Sequence, residues 1–169
     1  MGIKQIAVQR FSVTSSKSFG DIVAALDAAI GHPDMNLFRR DVTAAKTYAE
    51  LEDIVRKAVG SSDLMEFTRF DLGEILRKEQ GTTAPRSLRL VAGNPLIMKQ
   101  MVKHLPDAGS YAPVTMLIDE RPDGVHLSYD RMASLLAPYE RAEVLSVARE
   151  LDSKVETLLN RAANSSIVT

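Results

Sequence analysis

Apolar and polar residues alternate roughly through IKQIAVQRFSVTS at 3–15, with β-branched and aromatic members, and a period near two predicts a strand. Ser18 then opens a capping box in which Asp21 stands where Glu is usual, and Ile22, Leu26, Ala29 and Ile30 follow at helical spacing. Gly31 and Pro33 stop that helix. A second capping box, Thr47 with Glu50, opens a helix with Leu51, Ile54, Val55 and Ala58 on one stripe and Gly60 at its end. DLMEFTRF at 63–70 returns to strand character. Asp71 with Glu74 caps a short helix through Leu72, Ile75 and Leu76, ending before Gly81. RSLRLVA at 86–92 is a further strand, with Leu88, Leu90 and Ala92 on one face.

A helix over 95–105 comes next, and then two apolar runs flanking ERPDG. There Pro122 presets φ for a turn and Gly124 supplies a positive φ, which makes this the strongest hairpin signal in the chain. Asp130 is read as the N-cap of a helix that follows. Val144, Ala148, Leu151, Val155 and Leu158 recur every three or four residues and mark a long amphipathic helix. Strands separated by helices and closed by a hairpin predict an α+β fold, with a mainly antiparallel sheet of about five strands packed by helices. The expected organisation is a single domain over 1–169, with a helical insertion at 32–62 and a frayed tail at 160–169.

Composition narrows the function classes. Of 169 residues, 45% are apolar and 25% charged, as in ordinary globular proteins. Against 21 Lys and Arg stand 22 Asp and Glu, interleaved along the chain, so the many cationic phosphate contacts of a nucleic-acid binder are not expected. Without cysteine there is no disulfide, thiol nucleophile or cysteine-ligated zinc, which fits a reducing cytoplasm. The N-terminus lacks the basic and long apolar segments of a signal peptide, and no apolar run approaches membrane-spanning length. Met1-Gly2 is no myristoylation signal, because Ile6 stands where Ser or Thr is required. The expected protein is soluble and cytoplasmic, with no membrane or nucleic-acid partner.

The motifs that carry chemistry are weak. GNPLIMKQMVKH at 93–104 places a glycine, a capping residue and a proline between a strand and a helix, where many folds hold anions. It has neither the three glycines of a dinucleotide site nor a P-loop, and Asn94 before Pro95 is a favoured structural cap. His32, His104 and His126 share no metal-ligand spacing, so no metal site is expected. DERPD at 119–123 is too short for a calcium loop, and no serine sits in a hydrolase elbow. Tyr111, Tyr129 and Tyr139 either line a pocket with their polar tips or pack at a dimer seam.

The stretch RLVAGNPLIMKQMVKHLPDAGSYAPVTMLIDERPDGVHLSY at 89–129 resembles the core of the bacterial domain-of-unknown-function family 302, and the likeness covers most of 63–160. FTRFDLGEIL resembles that family's upstream strand and helix start. The resemblance implies a small α+β fold similar to the TATA-binding-protein-like class, often dimeric, and no established activity. Many members carry a cysteine after the proline that precedes the hairpin, whereas this chain has Val114 after Pro113, so chemistry resting on that thiol is absent.

Two function classes remain. One is a non-catalytic module that binds a small ligand or assembles as a homodimer, without a cofactor. The other is an enzyme acting on a small polar metabolite through scattered residues. Arg89, Asn94, Lys99, His104 and Tyr129 are the candidate ligand-binding residues in either case.

Overall fold

The computed structural model describes residues 2–164. Its strands are β1 (Arg10–Ser15), β2 (Met65–Asp71), β3 (Ser87–Gly93), β4 (Val114–Arg121) and β5 (Gly124–Asp130). Its helices are α1 (Phe19–Ala29), α2 (Met35–Ala44), α3 (Tyr48–Ala58), α4 (Leu72–Gln80), α5 (Pro95–Val102), α6 (Met132–Leu136) and α7 (Ala142–Asn164). The five strands form one sheet in the order β1-β5-β4-β3-β2, with every neighbouring pair antiparallel. This is the expected α+β class.

The helix starts follow local chemistry. Ser18 Oγ accepts the Asp21 amide at 3.1 Å and Asp71 Oδ1 accepts that of Glu74 at 2.9 Å. Thr47 Oγ1 accepts the Glu50 amide at 3.2 Å, and Glu50 reaches back to the Lys46 amide at 2.7 Å. One sheet face is apolar because alternate residues of the inner strands are: Leu88, Leu90, Met116, Ile118, Leu127 and Tyr129 are buried. Onto it α7 lays Val144, Ala148, Leu151 and Val155, and α1 lays Ile22 and Leu26. Each of these valine, leucine and isoleucine side chains contributes about 1.5–3 kcal/mol on full burial.

Three details depart from the sequence pattern. The first strand begins at Arg10 rather than residue 3, because its partner β5 ends at Asp130, opposite Arg10, and the chain there turns into α6. Residues 3–9 run on without a neighbouring strand; the Gln9 amide donates instead to Ser134 Oγ at 3.0 Å. Asp130 does not cap the following helix, since its carboxylate is held by Arg10. Asp152 of α7 takes that role, accepting the amides of Met132 at 2.7 Å and Ala133 at 3.1 Å. Residues 160–164 are not frayed: α7 continues to Asn164, with Ala162 and Ala163 buried. Lys17 Nζ and Ser15 Oγ satisfy the carbonyls of Ala162 and Ala163 at 3.0 and 2.7 Å. The remainder of the predicted tail, 165–169, lies outside the described residues.

At the base of α2 and α3 the chain crosses itself at two glycines. The amides of Gly31 and Gly60 both donate to the Leu64 carbonyl at 2.9 Å. A Cβ on Gly60 would lie 2.3 Å from the Ala29 carbonyl oxygen, so only glycine permits the crossing. Among the described residues no helix is long and apolar enough to cross a membrane.

Candidate functional site

The sheet's second face is polar and apolar in turn. The registers align Phe70, Arg89, Leu117, Ser128 and Ser12 in one row across all five strands. Leu117 and Val91 are half-buried there, while Arg89 and Phe70 are exposed. Near the β5 end of this face lies a groove of about 360 Å³. Its walls include Arg10, Arg89, Thr115, Leu117, Ser128 and Asp130, with Tyr111 and Leu135 closing one end.

The two arginines of the groove differ in charge state of their surroundings. Arg10 grips Asp130 through Nε at 2.6 Å and Nη2 at 2.9 Å. That hydrogen bond, with the Coulombic attraction of the same guanidinium, holds the Asp130 carboxyl below its usual range against a partial desolvation. Arg89 has no carboxylate within ion-pair distance among the described residues; its contact is the ring of Phe70, 5.9 Å from the guanidinium carbon. A planar donor fork without a counter-ion, beside the hydroxyls of Ser128 and Thr115, suits a carboxylate or phosphate.

The other predicted residues are occupied elsewhere. Tyr129 lines the groove, but its hydroxyl is committed elsewhere: buried, it donates to Asp152 Oδ1 at 2.7 Å and accepts the Met132 amide at 3.1 Å. Burial first, and then the Asp152 charge, push that hydroxyl's pKa well above the ordinary tyrosine value. Asn94 caps α5 through Leu96 at 2.9 Å, and its Nδ2 donates to the Asp63 carbonyl at 3.1 Å and carboxylate at 3.0 Å. Lys99 Nζ donates to Tyr48 Oη at 2.9 Å and sits 4.1 Å above that ring. His104 is exposed beyond the end of α5. The fold thus brings Arg89 and Tyr129 to one groove and leaves Asn94, Lys99 and His104 around α5.

The opening of α5 therefore acts as a cap, with its first free amide already satisfied by Asn94. Beneath it is a cavity of about 270 Å³, whose lining is apolar apart from Asn94: Phe67, Ile97, Met98, Met101 and Val114. Tyr111 and Tyr139 pair hydroxyl to hydroxyl at 3.1 Å, with rings edge to face. What sequence spacing does not reveal is the position of His32, which lies against Asp27 and Glu66. The three come from α1, the loop after it and β2: Asp27 and His32 are five residues apart, and the pairing of Gly31 with Met65 brings Glu66 beside them.

No curated protein matches the chain. Among solved structures it is similar to the crystal structure of uncharacterized conserved protein DUF302 from Bacillus stearothermophilus, with a TM-score of 0.61 and 10% sequence identity over 90% of this chain and 97% of that one. At that identity the likeness concerns the fold, and the two folds agree over nearly their whole lengths. The model of a family described as domain of unknown function DUF302 matches residues 40–162, from within α2 through most of α7. On that match the chain belongs to the DUF302 family.

Proposed function

We propose that the protein is a non-catalytic module that binds a small anionic organic molecule in the open-face groove, with Arg89 as the anchor. One observation carries this: Arg89 is a cation without a carboxylate partner among the described residues, at the rim of a concave site. The groove falls within the usual size of small-molecule sites, roughly 300–1,000 Å³. Ser128 and Thr115 supply hydroxyls and Leu117 an apolar floor, a mixture that fits a ligand with a charged head and a short carbon body. Catalysis is less favoured, since Tyr129 is committed to Asp152 and the five candidate residues do not converge.

Homodimerisation through the same face is the second reading. Phe70 is 48% exposed and, with Val91 and Leu117, gives the face an apolar strip that a second copy would bury. The balanced charge supports a reading without nucleic acid, and the cysteine-free composition one in the cytoplasm.

Thermal-shift and calorimetric titration with a panel of small carboxylates and phosphate esters tests the ligand reading. The expected result is saturable binding by the parent and at least ~10-fold weaker binding by Arg89→Ala, the size of a lost charge-assisted hydrogen bond. Unchanged affinity in Arg89→Ala, or no binding by any member of the panel, would overturn it.

A further inference from the structure

We propose that His32, Glu66 and Asp27 form a binding site for a divalent first-row transition metal, for which Zn²⁺ is the probe. The site lies on the helical side of the sheet, beyond the β2 edge, and is independent of the groove. One ligand atom from each residue lies within 4.8 Å of the others. His32 Nδ1 is 3.2 Å from Glu66 Oε2. Metal–ligand bonds of roughly 2.0–2.2 Å in tetrahedral geometry place ligand atoms about 3.3–3.6 Å apart, close to that separation.

The hydrogen bonding of the imidazole supplies a second, separate observation. His32 Nε2 is 3.1 Å from the Asp27 carbonyl oxygen, while Nδ1 faces a carboxylate oxygen. Both ring nitrogens thus face acceptors, yet a neutral imidazole has one N–H. If Nε2–H donates to the carbonyl, the Nδ1 lone pair is aimed at the lone pairs of Glu66. That arrangement repels; Arg69 offsets it from the Glu66 side, and a cation bound by both atoms would turn it into an attraction. A ring N–H given to a backbone carbonyl, with the other nitrogen left bare, is the usual outer-shell pattern of a metal-ligating histidine. An imidazolium also satisfies both contacts, and the experiment separates the two.

The ligands are held from three sides and remain reachable. Glu66 is the inner ligand, with its side chain 13% exposed, whereas those of His32 and Asp27 are 40% and 39% exposed. Gly31 pairs with β2 through its amide to the Leu64 carbonyl and its carbonyl to the Glu66 amide, which fixes His32 beside Glu66. Arg69 faces the same carboxylates, donating Nε to Glu66 at 2.7 Å and Nη2 to Asp27 at 2.7 Å, with a further contact to Glu66 Oε2. Its Nη2 thus bridges the two carboxylates, between Glu66 Oε2 and Asp27 Oδ1. Each carboxylate oxygen has two lone pairs, so Glu66 Oε2, which Arg69 Nη2 also contacts, keeps one for a metal on the His32 side. Imidazole with two carboxylates selects zinc, cobalt or nickel over magnesium and calcium, which prefer oxygen alone.

The test uses the untagged full chain, stripped with chelator and titrated with Zn²⁺ by calorimetry at neutral pH. One saturable equivalent per chain is expected, weakened at least ~10-fold by His32→Ala and by Glu66→Gln, and unchanged by His104→Ala. Zn²⁺ raises the melting temperature of the parent but not of His32→Ala. In the parent itself, the ring-nitrogen resonances of His32 move on Zn²⁺ addition while those of His104 and His126 stay, so the assignment does not depend on a variant folding. Absence of saturable binding would overturn the proposal and leave Arg69 and a ring proton as the only cations there. Binding that survives His32→Ala, or that leaves the His32 resonances in place, would overturn it equally.

Discussion

Asp152 is a fully buried carboxylate that serves three donors, and its replacement tests the cap assigned to α6. The five-residue α6 has no side-chain cap of its own, so its first amides would be buried donors without acceptors. Asp152, fully buried on α7, accepts from Met132, from Ala133 and from the hydroxyl of Tyr129. Asp152→Ala strands the Ala133 amide and the Tyr129 hydroxyl, and leaves the Met132 amide only its 3.1 Å contact with Tyr129. An unpaired buried donor costs about 1–3 kcal/mol, so the expected loss is about 3–5 kcal/mol. Against a typical total stability of roughly 5–15 kcal/mol that is a severe defect. Asp152→Asn keeps the volume and one carbonyl oxygen for Tyr129 and Met132, but turns an N–H toward the Ala133 amide, and about 1–3 kcal/mol is expected. Urea unfolding followed by far-UV circular dichroism at neutral pH measures both. A loss under about 1 kcal/mol in Asp152→Ala, or a larger one in Asp152→Asn, would refute the cap.

Three further outcomes follow from local geometry. Asn94→Ala removes the α5 cap and both donors to Asp63, and is expected to cost about 1–3 kcal/mol in denaturant melts; superimposable curves would return the turn to a ligand role. Gly60→Ala drives a Cβ to 2.3 Å from the Ala29 carbonyl, so a loss above about 3 kcal/mol or insoluble expression is expected, and a normal melt would contradict the crossing. The Tyr139 hydroxyl, hydrogen-bonded to that of Tyr111, is pushed up to about 12 from 10.0, and a raised pKa means the fold favours the protonated form. That contribution is complete below pH 10 and declines as pH rises toward 12; phenolate absorbance showing all four tyrosines titrating together near 10 would contradict it.

Features set by neighbours in sequence were legible, and features set across the fold were not. Ser18, Thr47, Asp71 and Asn94 declare their helices because a capping side chain bonds an amide two or three residues away. The hairpin β4–β5 is legible because turn chemistry and alternation agree over a dozen residues. Asp130 misleads because it offers the same local signal as a true cap, yet Arg10, distant in sequence, claims its carboxylate. The real cap, Asp152, sits mid-helix among residues that read as the polar side of α7. Likewise Arg89 declares a charge but not that it has no carboxylate partner among the described residues, which depends on what the neighbouring strands place beside it. His32 carries no familiar ligand spacing, since Asp27 lies five residues before it and Glu66 reaches it only through the Gly31–Met65 bridge.

The two proposed uses of the open face are physically coupled through Arg89. A second copy laid over Phe70, Val91 and Leu117 would take the guanidinium out of water, and a buried cation without a counter-ion costs several kcal/mol. A dimer of that kind therefore requires either an anion in the groove or a carboxylate from the other copy. Arg89→Leu separates the cases, because it removes the anchor and the buried charge together while extending the apolar strip. Ligand binding should fall at least ~10-fold, as for Arg89→Ala. If the face pairs with itself, self-association should tighten, and sedimentation across the micromolar range should show more of the species at twice 18.5 kDa than in the parent. A parent dimer that persists unchanged in Arg89→Leu would show that the interface lies elsewhere. A parent dimer that dissociates would show that Arg89 is paired across it, and the groove would then lose its free cation and with it the case for an anionic ligand.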